Sequence, residues 1–228
     1  MIKAVIFDLD GTILDSIDTY WYAFNAAVAT FKLQPVNKER LLVLMSQGAN
    51  LAEILCSFYP TLRLETGSNM VERIKAEIRK QYLVHGGDEV RLTSGTQELL
   101  RLLRLRGLKI GIVTSRAIPP GRQWEELEKL QVAHFFDAMV TGAEAPRKPA
   151  PDTIIECLKR LKLLPEEAIF VGDSQADMMA AKAAGLRTVA VTTGVSHKEV
   201  LLEESPDFIF NNLLDFADKV DFVLGRFK

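Results

Sequence analysis

The sequence predicts an α/β protein with a doubly wound, Rossmann-like parallel sheet and a helical cap domain inserted after the first strand. Short apolar runs alternate with amphipathic helices over residues 88–228, whereas residues 16–87 show only helical periodicity. Repeating strand–helix units imply parallel strands that are covered by helices on both faces. We therefore expect a core of residues 1–15 plus 88–228 and a cap domain of residues 16–87.

The composition is that of an ordinary globular protein and excludes some classes of partner. The 228 residues carry a formal net charge of -2, with 48% hydrophobic and 25% charged residues. This balance predicts neither a nucleic-acid nor a membrane partner. The N-terminus leads directly into a strand without a signal-peptide pattern, which predicts a cytoplasmic location. The sequence does not indicate an oligomeric state.

The predicted cap begins with a helix whose apolar residues follow the i, i+3, i+4, i+7 spacing over residues 17–31. Asn50 and Glu53 form the pattern of a capping box, and Asn69 and Glu72 repeat it before a later helix. The segment 85–88, with its two glycines, is expected to break the helical pattern. About four helices are thus predicted.

In the predicted core, apolar runs mark the strands and leucine-rich or alanine-rich segments mark the helices. Ser94 and Gln97 resemble a cap for a helix that ends before Gly107. A short strand and a helix over residues 207–219 are expected to complete the alternation. The other predicted strands are Ala4–Phe7, Lys109–Thr114, Ala138–Thr141, Ala168–Val171 and Thr188–Val191.

Polar residues follow the ends of several predicted strands. Asp8 and Asp10 follow the first, Thr114 ends the second, Lys148 lies in a loop after the third, and Asp173 follows the fourth. Each alone is compatible with a turn, a solvated loop or a helix cap, but parallel strands bring all of them to one edge. Crowded carboxylates require a compensating cation, and oxygen ligands favour Mg²⁺. A divalent ion with a lysine suits phosphoryl chemistry.

Four motifs resemble those of the haloacid dehalogenase-like hydrolase superfamily, and within it the phosphoglycolate phosphatase-like branch. The segment 7–16 is the most specific, followed by 171–177, then 148–152, whereas 112–114 is a weak signal alone. The resemblance covers nearly the whole chain, and the helical insert stands where this branch carries its cap domain.

The resemblance implies distinct roles for the two N-terminal carboxylates. Asp8 would be the nucleophile that forms an aspartyl-phosphate, and Asp10 would be the general acid and base. Mg²⁺ would be held by the Asp8 side chain, the Asp10 backbone carbonyl and Asp173. Thr114 and Lys148 would complete the catalytic set.

The resemblance also assigns residues around the phosphoryl group and behind the metal. Phosphate oxygens would be bound by hydroxyl, ammonium and backbone groups of Leu9, Gly11, Thr114, Ser115 and Lys148. Thr12, Ser174 and Asp177 would support the metal ligands, with Asp177 occasionally a ligand itself.

The predicted function is an Mg²⁺-dependent phosphatase for a small phosphorylated metabolite, with 2-phosphoglycolate as the leading candidate. An intramolecular phosphomutase of a sugar phosphate and an inorganic pyrophosphatase remain alternatives, as does a non-catalytic binding protein. Carbon–halogen hydrolases of this fold lack the second aspartate, because a halide leaving group needs no proton. Asp10 therefore favours phosphoryl transfer.

Two features depart from the family pattern. Arg116 stands close behind Thr114, in a stretch where asparagine is common, and we expect its side chain to face solvent. The polar loop 46–50 lies where relatives place substrate-specificity residues, and it offers Gln47, Gly48 and Asn50. The cap shows no obvious cation for a substrate carboxylate, since its basic residues are expected to be exposed helix-face charges: Arg40, Arg63, Arg73 and Lys75.

Overall fold

The structure, a computed structural model, describes residues 1–63 and 69–225, apart from the side chains of residue 63 and residues 85–89. It contains a six-stranded sheet, a two-stranded ribbon and helices on both sheet faces. Within these residues, none of the helices combines the length and the apolar character needed to cross a bilayer.

The six-stranded sheet is parallel throughout and confirms the predicted α/β class. Its order is β5-β4-β1-β6-β7-β8, so that β1 is central. Phe7 of β1 pairs with Ile112 of β4 and Val171 of β6, which brings the carboxyl ends of these three strands together. The strands are β1 (Ala4–Phe7), β4 (Lys109–Thr114), β5 (Ala138–Thr141), β6 (Ala168–Gly172), β7 (Arg187–Val191) and β8 (Phe208–Phe210).

Alternate residues of β1 enter two different cores, as period-2 strand geometry requires. Val5 and Phe7 pack on one face, whereas Ala4 and Ile6 pack on the other. The first face is covered by α5 (Thr96–Leu105), α10 (Leu213–Asp218) and α11 (Val220–Val223). The second face is covered by α7 (Asp152–Leu161) and α8 (Gln175–Ala183). Two further helices are α6 (Pro120–Lys129) and α9 (Lys198–Glu203).

The described part of the segment after β1 contains four α-helices with an apolar core of their own. Phe24, Leu41, Leu55 and Ile74 are buried in that core, one from each helix. A ribbon of β2 (Leu14–Asp15) and β3 (Arg91–Leu92), paired antiparallel, carries the chain out of the sheet domain and back into it. The helices are α1 (Ile17–Thr30), α2 (Lys38–Ser46), α3 (Leu51–Phe58) and α4 (Met70–Glu89).

The structure corrects two local predictions. The expected break at 85–88 is wrong, because α4 continues through this segment to Glu89. The expected cap at Ser94 is also wrong, because Gly95 is the N-cap of α5, with φ +84 and no side-chain cap. A Cβ atom on Gly95 would lie 2.0 Å from the backbone nitrogen of Leu214, so close packing against α10 selects glycine here. By contrast, the Asn50–Glu53 capping box is present as predicted.

Candidate active site

The centre of the site is Asp8, which directly follows β1 and is buried. Its backbone amide donates to the carbonyl of Val171 at 2.8 Å, and this bond fixes the carboxylate between β4 and β6. Lys148 Nζ donates to Asp8 Oδ1 and also to Asp177 Oδ1 at 2.5 Å. One buried ammonium group thus bridges two buried carboxylates.

Asp173 follows β6 and is held on both carboxylate oxygens. Thr12 Oγ1 donates to its Oδ1 at 2.8 Å, and the backbone amide of Val195 donates to its Oδ2 at 2.8 Å. Two glycines leave room for the carboxylate, because Cβ atoms on Gly11 and Gly194 would lie 2.6 Å and 1.8 Å from Asp173 Oδ2. Each oxygen of Asp173 therefore keeps a lone pair beyond the bond that orients it.

Asp177 lies on the first turn of α8 and accepts hydrogen bonds at the N-terminus of that helix. Its Oδ2 accepts from Ser174 Oγ at 2.6 Å and from the backbone amides of Ser174 and Asp173 at 3.0 and 3.2 Å. Ser174 in turn caps the helix by accepting from the Asp177 amide. Because its Oδ1 faces Lys148, Asp177 is better placed to orient its neighbours than to bind a metal directly.

The buried charges around Asp8 do not balance. Carboxylate oxygens of Asp8, Asp173 and Asp177 lie within 4.8 Å of one another, and Lys148 contacts two of these residues, Asp8 and Asp177. Burial raises the pKa of Asp8 well above its usual value, although Lys148 opposes this and the neighbouring carboxylates add to it. Burial and Asp177 raise the pKa of Asp173 to about 7.

A divalent cation fits this arrangement. With all three carboxylates ionised, one lysine leaves two negative charges uncompensated in a buried pocket. The available donors are hard oxygen atoms, which suit Mg²⁺. Burial acts to lower the pKa of Lys148, but Asp177 and Asp8 outweigh it and raise that pKa above its usual value. The ammonium group therefore stays charged beside the cluster.

Asp10 faces the cap and has different partners from Asp8. Ser16 Oγ donates to its Oδ1 at 2.6 Å. Arg116 donates to both oxygens, from Nη2 to Oδ1 at 2.6 Å and from Nε to Oδ2 at 2.8 Å. The expectation that Arg116 faces solvent is wrong, because its side chain is only 7% exposed and forms a bidentate ion pair with Asp10.

A cleft of about 1350 Å³ separates the sheet domain from the helices of the cap and opens onto Asp8, Asp10 and Asp173. Thr114 and Ser115 line it on the core side, and Thr114 Oγ1 accepts from the backbone amide of Arg116 at 3.1 Å. Leu9 and Gly11 form the turn after β1, in which the Gly11 amide donates to the Leu14 carbonyl at 2.7 Å. The cleft thus contains every predicted catalytic side chain.

The polar cap loop 46–50 packs against two loops of the core, the loop that contains Ser196 and the loop that contains Lys148 and Pro149. Ser46 Oγ lies 2.7 Å from Ser196 Oγ, and Gly48, with φ +80, packs against Pro149 and the Lys148 carbonyl. Gly48 and Asn50 line the cleft, whereas Gln47 does not belong to its lining. The side-chain oxygen of Asn50 caps α3 by accepting from the backbone amides of Ala52 and Glu53.

Two basic side chains of the cap line the cleft, although the sequence analysis assigned no cap cation to the site. Lys75 and Arg79, four residues apart on α4, both line the cleft. Lys75 was expected to be an exposed helix-face charge, but its side chain is only 20% exposed and pairs with Glu72. Their spacing of four residues places both side chains on one face of α4, and this spacing could have indicated a basic pair from the sequence.

Other contributors escaped the sequence prediction because their role depends on tertiary contacts. Gly194 and Val195, in the loop after β7, make room for Asp173 and hydrogen-bond to it. Tyr82 and Glu126 contact Arg116 from α4 and α6. A glycine just beyond a strand end was the one local signal for the Gly194 loop.

The family model described as haloacid dehalogenase-like hydrolase matches residues 5–191. The chain belongs to the haloacid dehalogenase-like hydrolase family. This match spans the strand ends with Asp8, Thr114 and Asp173, and it includes Lys148. The predicted enzyme class, a phosphatase, is confirmed by this family and by the relatives that follow.

Relatives with different names match almost the full chain. A protein of Clostridium perfringens, named as a candidate pyrophosphatase, PpaX, is 31% identical over 97% of this chain and 98% of its own. A phosphoglycolate phosphatase of Salmonella typhi is 32% identical over 94% of this chain and 90% of its own. A crystal structure described as a predicted phosphoglycolate phosphatase from Haemophilus somnus has a TM-score of 0.84 and 25% identity, covering 96% and 98% of the two chains.

Proposed function

We propose that this member of the family is an Mg²⁺-dependent phosphatase that hydrolyses a small phosphorylated metabolite through an aspartyl-phosphate on Asp8. The leading candidate substrate is 2-phosphoglycolate. The observation that carries the proposal is the position of Asp8, buried at the end of β1, paired with Lys148 and open to the cleft beneath the cap.

In the first step an Asp8 oxygen attacks phosphorus, and the bond from phosphorus to the leaving-group oxygen breaks. Asp10 gives its proton to that oxygen, so that the product leaves as an alcohol. Lys148 stabilises the negative charge that spreads over the phosphoryl oxygens, together with the Thr114 hydroxyl and the backbone amides of Leu9 and Ser115. The Gly11 amide, which the sequence also suggested, instead donates to the Leu14 carbonyl.

In the second step a water molecule gives its proton to the Asp10 carboxylate and its oxygen attacks phosphorus. The bond between phosphorus and Asp8 breaks, which releases inorganic phosphate and restores both carboxyl groups to their starting forms. Closure of the cap over the cleft would limit the number of water molecules that reach this intermediate.

The proposed metal ligands are the side chains of Asp8 and Asp173 and the backbone carbonyl of Asp10. When bound, Mg²⁺ would supply positive charge that balances the carboxylates and the phosphoryl oxygens and orients them. Asp177, Thr12 and Ser174 would then hold the ligands and the lysine in place.

Two observations support a substrate with a second anionic group. Lys75 and Arg79 of the cap line the same cleft as the carboxylates of the core. The relatives are named for 2-phosphoglycolate and pyrophosphate chemistry, and each of these two molecules has a second anion beside the reacting phosphate. Inorganic pyrophosphatase activity is therefore the second candidate. A cytoplasmic location and the absence of nucleic-acid and membrane partners stay predictions.

An assay with p-nitrophenyl phosphate tests the nucleophile and the metal. We expect wild-type activity to disappear in EDTA and to return with Mg²⁺, and Asp8→Asn to be inactive in both conditions. Asp218→Asn changes an exposed aspartate on α10 in the same way and should keep wild-type activity. Equal phosphate release by wild type and Asp8→Asn would contradict the assignment of Asp8.

A substrate panel of 2-phosphoglycolate, pyrophosphate and hexose phosphates tests the substrate class. We expect the highest kcat/KM on 2-phosphoglycolate or pyrophosphate, the two candidates with a second anionic group, with release of inorganic phosphate. Conversion of a hexose phosphate to its isomer without phosphate release would instead identify a phosphomutase.

A further inference from the structure

Arg116 is a buried arginine whose role the proposed reaction leaves open. It lies in the loop after β4, two residues beyond Thr114, and lines the cleft. Its Nε and Nη2 atoms donate to the two oxygens of Asp10 at 2.8 and 2.6 Å. This bidentate geometry fixes the plane of the Asp10 carboxylate as well as its position.

Arg116 is itself held by both domains. Its Nη1 donates to Glu126 Oε2 of α6 at 2.5 Å, and its Nη2 donates to the hydroxyl of Tyr82 of α4 at 2.7 Å. The guanidinium carbon also lies 5.1 Å from the ring centroid of Tyr82 and 5.8 Å from that of Tyr20 in α1. The orientation of Asp10 is thus linked through one side chain to two helices of the cap.

The charges around Arg116 argue against a role in binding a substrate anion. The guanidinium already contacts two carboxylates, Asp10 and Glu126, so that a substrate carboxylate or phosphate would add a third negative charge. A buried cation that is paired in this way offsets the free-energy cost of burying the protein's own carboxylates. Lys75 and Arg79 on the cap side are better candidates for the substrate anion.

We propose that Arg116 is a positioning residue that orients the Asp10 carboxyl group toward the reacting oxygen atoms. Through Arg116, the orientation of Asp10 depends on the position of the cap. The inference rests on the proposed function. Among the described residues, Asp10 Oδ1 accepts from both Ser16 and Arg116, whereas Oδ2 accepts from Arg116 Nε alone. Oδ2 is therefore the oxygen that gives and receives the proton, while the two bonds to Oδ1 hold the group in place.

Leaving-group dependence distinguishes positioning of Asp10 from a purely structural role. An alkyl phosphate needs a proton on its leaving oxygen, whereas p-nitrophenolate leaves readily without one. We expect Arg116→Gln to lower kcat/KM about 10- to 100-fold for an alkyl phosphate and only about two- to threefold for p-nitrophenyl phosphate. Arg116→Lys keeps the charge but has a single nitrogen, and it should recover part of the loss.

A double-mutant cycle provides the decisive comparison. If Arg116 acts through Asp10, Arg116→Gln in an Asp10→Asn background should change kcat/KM for the alkyl phosphate by less than about threefold. Equal factors in both backgrounds, or equal losses on both substrates in the single variant, would overturn the inference. Arg122→Gln, which alters another arginine of the cleft lining, should show no leaving-group dependence.

Tyr82→Phe tests the link to the cap and remains informative even where Arg116→Gln fails to fold. It removes the hydroxyl that accepts from Arg116 but keeps the aromatic ring. We expect a selective loss of about three- to tenfold on the alkyl phosphate. An unchanged ratio between the two substrates would contradict the coupling. Failure of the proposed function would be recognised separately, since Asp8→Asn would then keep its activity.

Discussion

The two carboxylates of the first motif lie two residues apart, yet they belong to regions of different construction. Asp8 is surrounded by residues at the ends of neighbouring parallel strands, and its partners Lys148 and Asp177 come from the same domain. Asp10 faces the cap, and its partner Arg116 is held from α4 and α6. The nucleophile side, named for the proposed role of Asp8, thus depends on sheet topology, whereas the acid side, named for the proposed role of Asp10, depends on how the cap helices pack against the core.

The two regions also differ in charge. Around Asp8, three carboxylates share one lysine, and the surplus of negative charge suits a metal ion. Around Asp10, the arginine lies between two carboxylates and is positioned by aromatic rings. From this difference we expect Mg²⁺ and pH to change the stability of the region around Asp8. We expect the position of the cap to change the orientation of Asp10.

The largest effect is expected from Lys148→Met. The substitution removes the ammonium group that bridges Asp8 and Asp177, and it leaves buried carboxylates without their cation. We expect loss of activity and a decrease of about 3–5 kcal/mol in the free energy of unfolding in urea without Mg²⁺. Lys3→Met breaks the exposed ion pair with Glu167 and should leave the free energy of unfolding almost unchanged, because solvent screens exposed pairs. Similar costs for the two variants would contradict a central role for Lys148.

A second substitution, Gly194→Ala, tests how closely the nucleophile side is packed. The new Cβ atom would lie 1.8 Å from Asp173 Oδ2 and 2.2 Å from its Cγ, so the carboxylate has to move. We expect the Mg²⁺ concentration for half-maximal activity to rise about 10- to 100-fold. Gly121→Ala, where no atom lies within 4 Å of the new Cβ, is the matched control. An unchanged Mg²⁺ requirement would mean that Asp173 is not a ligand.

The sequence predicted where Asp8 and Asp173 lie, because each residue directly follows an apolar strand. Apolar runs identified β1, β4 and β6, and the polar residue after each run marks the common sheet edge, as with Asp8 and Asp173. The loop residues Gly194 and Val195 carried only a weak signal, since their importance depends on how closely the loop approaches Asp173.

The acid side and the connections between domains could not be predicted in the same way. Arg116 has no local pattern that indicates burial, because Tyr20, Tyr82 and Asp10 are distant from it in sequence. Glu126, on the helix that follows, would not by itself indicate a buried side chain. The two-residue strands β2 and β3 are too short for a periodic pattern. The N-cap at Gly95 is determined by the approach of α10, which overrides the Ser94 signal.

The raised pKa values on the nucleophile side predict how pH and Mg²⁺ act together. Burial and Asp177 raise the pKa of Asp173 from its ordinary 3.8 to about 7, and the pKa of Asp8 is raised in the same direction. The metal-free folded state therefore binds protons more tightly than the unfolded chain, and its stability falls as pH rises from about 4 to about 7.

Because Mg²⁺ competes with these protons, its stabilising effect should grow over the same range. We expect the increase in Tm caused by Mg²⁺ to be larger at pH 7.5 than at pH 5.5, as measured by differential scanning fluorimetry. Asp173→Asn should remove most of this increase at both pH values. An increase of equal size at both pH values in the wild type would contradict the proposed competition.

The smallest effect is expected where the cap loop meets the core. Gly48 has φ +80, and a Cβ atom there would lie 2.8 Å from Pro149 Cδ and 2.9 Å from the Lys148 carbonyl. Gly107 has a similar φ of +71 with no atom within 4 Å of the Cβ position, so Gly107→Ala carries the backbone strain without the clash. We expect Gly107→Ala to lower the free energy of unfolding by about 1 kcal/mol and Gly48→Ala to lower it by at least as much.

Only Gly48→Ala should also raise KM for the best substrate, by about three- to tenfold, because the cap loop can no longer pack against the catalytic lysine loop. Since Asp10 is linked to the cap through Arg116, the same variant should lose more on an alkyl phosphate than on p-nitrophenyl phosphate. Equal KM values for the two alanine variants would mean that loop packing does not influence binding. An equal loss on both substrates would mean that the position of this loop does not affect the orientation of Asp10. The Tyr82 contact would then be the part of the cap that is linked to Asp10.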